Sequence, residues 1–178
     1  LITGGGAGIG AAIAERCRAE GYLPIVIDRV VDSVPGAIRA DLSDAADTAR
    51  ALQAALASGP ITRLVNNVGV VVPADAEHQT LAEFDLAVSL NLRCDLQGTG
   101  VRVSNVEPGL CESEFTLVRF GGDQARYDAT YAGAKPVQPE DIAETIFWLM
   151  NQPAHLNINN LEIMPVSQTW AGFAIHRE

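Results

Sequence analysis

The chain opens on Leu1-Ile2-Thr3-Gly4-Gly5-Gly6-Ala7-Gly8-Ile9-Gly10, and no other stretch constrains its fold so strongly. Apolar residues of a strand end run through clustered glycines directly into a helical pattern. Glycine lets the backbone turn tightly and lets another group approach it closely. The first N–H groups of the following helix lack intrahelical partners and form the positive end of its dipole, so they favour an anion. The physical reading is a phosphate cradle suited to a pyrophosphate. A tight strand-to-helix connection needs the same glycines, so the motif decides nothing without its context.

That context begins with residues 9–20, where Ile9, Ala12, Ile13, Arg16 and Cys17 share one face at helical spacing before Gly21 stops the helix. Leu23-Pro24-Ile25-Val26-Ile27 reads as a strand buried on both faces, followed by Asp28 and Arg29. Asp28 follows the glycines at about the 20-residue separation at which a dinucleotide site places a carboxylate to accept from the adenosine ribose. A carboxylate there would repel a ribose phosphate and so favours NAD. Arg29 leaves room for NADP, because a guanidinium can stack on adenine or meet a phosphate. A solvated strand end is the bland alternative for Asp28.

Composition narrows the class. The 178 residues, 48% of them hydrophobic, suffice for a single domain over 1–178 with a sizeable core. Twelve Lys+Arg against 22 Asp+Glu give a net charge of -10, which opposes a nucleic-acid partner. No apolar run reaches the about 18 residues of a membrane span, so no membrane partner is expected. Cys17, Cys94 and Cys111 lack metal-ligand spacing, and His78, His155 and His176 are scattered, so no metal is expected. Free thiols fit a reducing compartment, with the cytoplasm the default. Leu1 and Ile2 look like the end of a strand, so residues are expected to be missing upstream.

Further along, Gly36–Ala40 reads as a third strand ending in Asp41-Leu42. Ser43 or Asp44 then caps a helix running to about Ser58, with Ala49, Leu52 and Leu56 on one face. Ile61–Val65 is a fourth strand, ending in Asn66-Asn67-Val68-Gly69 at the edge of the ligand crevice of a parallel sheet. Thr80-Leu81-Ala82-Glu83 has capping-box spacing before a helix with Leu81, Phe84, Val88 and Leu92 on one stripe and Asn91 also on it. Val101–Glu107 is a strand followed by Pro108-Gly109. Residues 110–137 read as a mobile lid in which Arg119 or Arg126 would meet a substrate carboxylate. Pro139-Glu140-Asp141 opens a helix whose Ile142, Ile146, Leu149 and Met150 face the sheet, and Leu161–Val166 is a final strand. Trp170 and Phe173 on the tail suggest a subunit contact and hence a homo-oligomer, a dimer or tetramer. The sum is an α/β chain with a Rossmann-like doubly wound parallel sheet in three α/β/α layers.

Thr3-Gly4, Gly8-Ile9-Gly10, Asp41-Leu42 and Asn66-Asn67-Val68-Gly69, in this order and at these separations, resemble the short-chain dehydrogenase/reductase family. The resemblance implies that Thr3, Gly4, Gly8, Ile9 and Gly10 bind the pyrophosphate, that Asp41 and Leu42 lie near the adenine, and that Asn66, Asn67 and Gly69 line the wall beside the adenosine ribose. It makes Asn91 the helical Asn that supports a proton relay. Pro108 and Gly109 would border the cofactor, with Ser113 bonding the nicotinamide amide. The run from Gly98 onward, including Glu107-Pro108-Gly109-Leu110 and Val118-Arg119-Phe120, resembles the branch that oxidises 3-hydroxy acids and serine-like substrates, whose members use NADP. The implied activity is NAD(P)-dependent interconversion of a small-molecule alcohol and carbonyl. A non-catalytic dinucleotide-binding or sensing protein is the alternative.

One part of the family pattern is missing. A fifth strand, a Ser near its end and a helix carrying Tyr-x-x-x-Lys should precede Val101–Glu107, but the helix around 86–97 runs straight into that strand. A strand, catalytic loop and helix of about 40–60 residues are therefore expected to be missing between Asn91 and Asp95. A real deletion would still leave a permitted strand–helix–strand crossover. Tyr131 and Lys135 have the Tyr-x-x-x-Lys spacing, but Gly133 weakens a helix there and Pro136 pushes Lys135 out of the helical region. They are read as a decoy.

Overall fold

Val26 and Ile27 are adjacent in sequence and each is almost wholly buried, but in different cores. Side chains alternate across a strand, so these two residues divide the molecule into layers. The computed structural model describes residues 1–68, 96–169 and 175–177. Gly69, the capping box at 80–83, Asn91, Cys94, Trp170 and Phe173 lie outside them.

The elements are β1 (Ile2–Thr3), α1 (Gly8–Ala19), β2 (Val26–Asp28), β3 (Ile38–Arg39), α2 (Ala45–Ala57) and β4 (Val65–Asn66). They continue with β5 (Asn105–Pro108), α3 (Glu114–Arg119), α4 (Gln124–Tyr131), α5 (Pro139–Met150) and β6 (Asn160–Ile163). The first four strands form a parallel sheet in the order β3-β2-β1-β4, and β5 and β6 form a separate parallel pair. On one face of the first sheet, Ile2 and Val26 pack with Ile13, Ala14 and Cys17 of α1 and Ala143 of α5. On the other, Ile27 and Ala40 pack with Ala51 and Ala55 of α2. Helices on both faces of a parallel sheet make the three-layer, doubly wound arrangement.

Local chemistry sets the helix ends. Gly21 adopts φ +80. The Gly21 N–H donates to Arg18 O and the Tyr22 N–H to Cys17 O, both at 3.0 Å, the paired bonds with which a glycine closes a helix. Asp44, not Ser43, caps α2, accepting from the Asp47 N–H at 2.7 Å. Asp141 accepts from the Gln138 N–H at 2.9 Å, and Pro139 opens α5 where a missing N–H does no harm. Arg16 ties α1 to α5, bonding Glu144 and lying 4.2 Å over the Phe147 ring.

Several expectations need correction, among them the strands read at Ile61–Val65 and Val101–Glu107, which are observed at Val65–Asn66 and Asn105–Pro108. The buried face of α2 is Ala51 and Ala55; Ala49 is exposed, as are Leu52 at 43% and Leu56 at 57%. The helix approaches the sheet through its small residues, which turns the leucines one position round the axis into solvent. The second strand starts at Val26, and Leu23 is 94% exposed, because Pro24 cannot donate to a ladder. The last strand ends at Ile163, leaving Val166 fully exposed. Residues 110–137 also carry more order than an open loop: Tyr131 is buried, its hydroxyl donating to Cys111 O at 2.9 Å and sharing a 2.6 Å bond with the Thr116 hydroxyl. Among the described residues no helix is long and apolar enough to cross a membrane.

Candidate dinucleotide-binding site

The turn between β1 and α1 is held from two sides by side chains at strand ends. Thr3 Oγ1 donates to Asn66 Oδ1 at 3.0 Å and accepts from the Asn67 N–H at 3.1 Å. Asn67 Nδ2 in turn donates to Gly4 O at 3.0 Å. These bonds cross from β1 to its parallel neighbour β4, so the pairing of two strands brings Thr3 and the Asn pair together. From the other side, Asp28 at the end of β2 accepts from the Gly6 N–H at 2.8 Å and from the Val30 N–H at 3.0 Å. A carboxylate has about four lone-pair positions, so two remain for a ligand hydroxyl.

The glycines follow from this crowding. Gly4 and Gly8 adopt φ +65 and +53, conformations that other residues reach only with strain. A Cβ on Gly10 would overlap Gly4 O and lie 2.6 Å from Asn67 Nδ2, so α1 can rest against the turn only with glycine there. Gly8 differs: among the described residues beyond its own helix backbone, a Cβ would meet Glu114 Oε2 at 3.3 Å and Ser113 Cβ at 3.6 Å and nothing else within 4 Å. It opens onto a cavity of about 570 Å³ that Gly6, Ala7, Ser113 and Tyr127 also line, together with the carboxylates of Glu15, Glu112, Glu114 and Glu140. Burial, reinforced by Glu112 and other neighbouring anions, holds the Tyr127 hydroxyl above its ordinary pKa.

Beyond the ends of β2 and β3 a second cavity of about 530 Å³ is lined by Arg29, Arg39, Asp41, Asp47 and Arg50. Arg39 bonds Asp32 at 2.6 Å and Arg29 O at 3.0 Å, and Arg50 bonds Asp47 Oδ1 at 2.9 Å through Nε and Arg39 O at 2.7 Å. The Ser43 hydroxyl and N–H, at 2.7 and 3.0 Å, hold the Asp41 carboxyl below its usual range.

The structure thus gathers Thr3, Gly4, Gly8, Gly10, Asp28, Asn66 and Asn67 around one turn, with Ser113 across the first cavity and Arg29 and Asp41 in the second. Ile9 and Leu42 pack against the two cores. Pro108 ends β5, and the Gly109 N–H donates to Ile163 O at 2.8 Å, with a Cβ there lying 2.6 Å from Gln168 Oε1. Tyr131 ends α4, and Ala132 leaves the helix at ψ 121, so Lys135 does not share a helical face with Tyr131. Sequence reasoning missed Glu114, Arg39 and Arg50; the only signal for Glu114 was its place beside Ser113. Among the described residues no group of three or more His, Cys, Asp or Glu could hold a metal.

With this geometry the comparisons become specific. The family model for short chain dehydrogenase matches residues 1–94. The chain belongs to that family. It is 58% identical over 90 residues to the serine 3-dehydrogenase of Agrobacterium fabrum, an alignment covering 51% of this chain and 36% of that protein. It is 50% identical over 91 residues to the NADP-dependent 3-hydroxy acid dehydrogenase of Escherichia coli, covering 51% of this chain and 37% of the relative. The match to these curated relatives therefore spans little more than a third of their length. Among solved structures, the closed form of a serine dehydrogenase complexed with NADP+ superposes with a TM-score of 0.79 at 28% identity, covering 100% of both chains.

Proposed function

We propose that this short chain dehydrogenase holds a nicotinamide dinucleotide on the glycine turn and belongs to an enzyme that interconverts an alcohol and a carbonyl on a small hydroxy acid. The carrying observation is the double tie on the turn: Asn67 on the Gly4 carbonyl and Asp28 on the Gly6 N–H. The residues fit the group. Gly8 leaves its side of the cavity clear of backbone, the first N–H groups of α1 face a pyrophosphate, and Asp28 retains acceptor capacity for a ribose. The bound dinucleotide supplies the hydride donor or acceptor. The chain's residues orient it, with Asn66, Asn67 and Gly69 forming the wall beside the adenosine ribose and Ser113 reaching the nicotinamide amide. Relatives named for serine and 3-hydroxy acids support the substrate class.

NAD is the preferred cofactor on this reading, because the Asp28 carboxylate would repel a ribose phosphate. The relatives named as NADP-dependent, and the arginines of the second cavity, favour the phosphorylated form instead, so the two cofactors need direct comparison. We further infer that the full-length protein carries the family's Ser and Tyr-x-x-x-Lys between Asn91 and Asp95. The Tyr would be the general acid/base, the Lys would lower its pKa, and Asn91 would anchor the proton relay. A cytoplasmic homo-oligomer completes the proposal, supported by the free thiols and by Trp170 and Phe173.

The second reading, a dinucleotide binder without catalysis, rests on the absence of Tyr-x-x-x-Lys at its family position. Two measurements separate the outcomes. Fluorescence titration should show saturable binding of NADH and none of S-adenosylmethionine; failure with NADH refutes the dinucleotide site. The intact mass of the full-length protein, less any N-terminal extension, should exceed 18.9 kDa. The missing segment would contribute roughly 4–7 kDa at ordinary element lengths. A mass at 18.9 kDa would leave the binder without catalysis.

A further inference from the structure

We propose that Glu114 is an internal anion that competes with the dinucleotide for the glycine turn and thereby sets its affinity. This inference rests on the dinucleotide reading above. The first i to i−4 bond of α1 runs from the Ala11 N–H to Ala7 O at 3.2 Å, so the N–H groups of Gly8, Ile9 and Gly10 precede it and form the positive end of the helix. The Glu114 carboxylate lies against this end, with Oε2 3.3 Å from where a Gly8 Cβ would stand. Among the described residues outside the helix's own backbone, it is the nearest atom to that position, and Gly8 lines the cavity together with Gly6.

The surroundings do not offset its charge. Glu15 from α1, Glu112 from the preceding loop and Glu140 from the first turn of α5 line the same cavity, and among the described residues no Lys or Arg does. Glu114 is thus one of four acidic residues lining the space, and the one whose carboxylate comes within 3.3 Å of the Gly8 Cβ position. A pyrophosphate arriving there brings two further negative charges. Either the Glu114 side chain rotates away, giving up its place at the helix end, or the two anions share a small volume at a cost in Coulomb energy. Glu114 is exposed and begins the six-residue helix α3, so its side chain can leave without unfolding anything.

The cavity carboxylates have different reach. Glu114 alone touches Gly8, so removing its charge should change affinity far more than removing that of Glu15. Because the effect is charge repulsion, added salt should weaken it.

The test is NADH titration of the full chain and of Glu114→Gln, Glu114→Asp and Glu15→Gln at low and physiological ionic strength, with inorganic pyrophosphate as a second probe. Glu114→Gln should bind NADH and pyrophosphate about tenfold more tightly at low salt, a gain that shrinks as salt is added. Glu114→Asp, which keeps the charge, should stay near wild type, and Glu15→Gln should change affinity by less than about twofold. A structural role for Glu114 would move the melting temperature without this dependence on salt and charge. Equal NADH affinity in wild type and Glu114→Gln, or weaker binding in the variant, overturns the inference alone. No NADH binding by any of the proteins overturns the dinucleotide reading and this inference with it.

Discussion

Asp28→Asn removes one charge while nearly preserving shape, so it isolates what the carboxylate does. In the native protein its two oxygens accept separate backbone N–H groups, Gly6 at 2.8 Å and Val30 at 3.0 Å. An amide has only one oxygen, so whichever way the substituted side chain turns, one N–H faces an NH2 and loses its acceptor. A hydrogen bond to a charged group contributes about 1.5–3 kcal/mol; partial exposure of Asp28 puts the lost bond at the lower end, and the retained one weakens by some tenths. The expected destabilisation is about 2 kcal/mol, which for a chain of this size lowers the melting temperature by about 4–8 °C. On the proposed cofactor site, the same change removes an acceptor from the ribose end and a repulsion from any ribose phosphate. NADH should therefore bind about tenfold more weakly, while NADPH binding holds or improves. Thermal unfolding by circular dichroism and parallel fluorescence titrations with the two cofactors measure both effects. An unchanged melting temperature would refute the tie between β2 and the glycine turn. An unchanged ratio of NADH to NADPH affinity would remove Asp28 from the ribose site even if the stability effect appeared.

Gly10→Ala should abolish NADH binding and cost about 1–3 kcal/mol, because its Cβ overlaps Gly4 O and presses Asn67. Gly21→Ala, also at positive φ but with nothing within 4 Å, should cost only about 1 kcal/mol of backbone strain and leave NADH binding intact. Normal NADH binding by Gly10→Ala would show that the turn is not the cofactor cradle. Burial, with Asp141, Glu140 and Glu112 adding to it, pushes the Cys111 thiol up to about 11. The thiolate is the reactive form, so iodoacetamide labelling of Cys111 at pH 8 should be slow and should rise about tenfold per pH unit toward pH 11. Peptide mass mapping follows the site, and rapid labelling at pH 7 would show that the thiol is not enclosed.

How much of this could be read from the sequence depended on whether local and global preferences agreed. The β1–α1–β2 unit was legible because glycine chemistry, helix period and a continuous apolar strand all require the same thing. The buried face of α2 was misread for a definite reason. Leu52 and Leu56 repeat with helical period, but so do Ala51 and Ala55 one position away, and hydrophobicity alone favours the leucines. Close approach to a sheet favours the smaller pair, and that preference belongs to the packing and not to any single residue. The site divides in the same way. Asn66, Asn67 and Asp28 sit at strand ends, where a parallel sheet places ligand contacts, so position alone flagged them. Glu114, Arg39 and Arg50 come together from separated segments, and no spacing in the sequence announces their meeting.

The separation of the two sheets bears on which half of the proposed function the chain can perform. β4 pairs with β1 and β5 with β6, and no ladder joins β4 to β5 among the described residues. Among the described residues, the side-chain bonds that shape the glycine turn come from the first sheet and its connections: Thr3, Asn66, Asn67 and Asp28 all lie on β1, β2 and β4 or one residue beyond. Only the far wall of the first cavity, with Ser113 and Glu114, depends on the segment after β5. The contacts that shape the glycine turn are therefore made without the segment after β5, whereas the proton transfer proposed above would call on residues outside this sequence. On the proposed function, binding and chemistry would be separable for this structural reason, and loss of the far wall should alter the strength of cofactor binding before it abolishes binding.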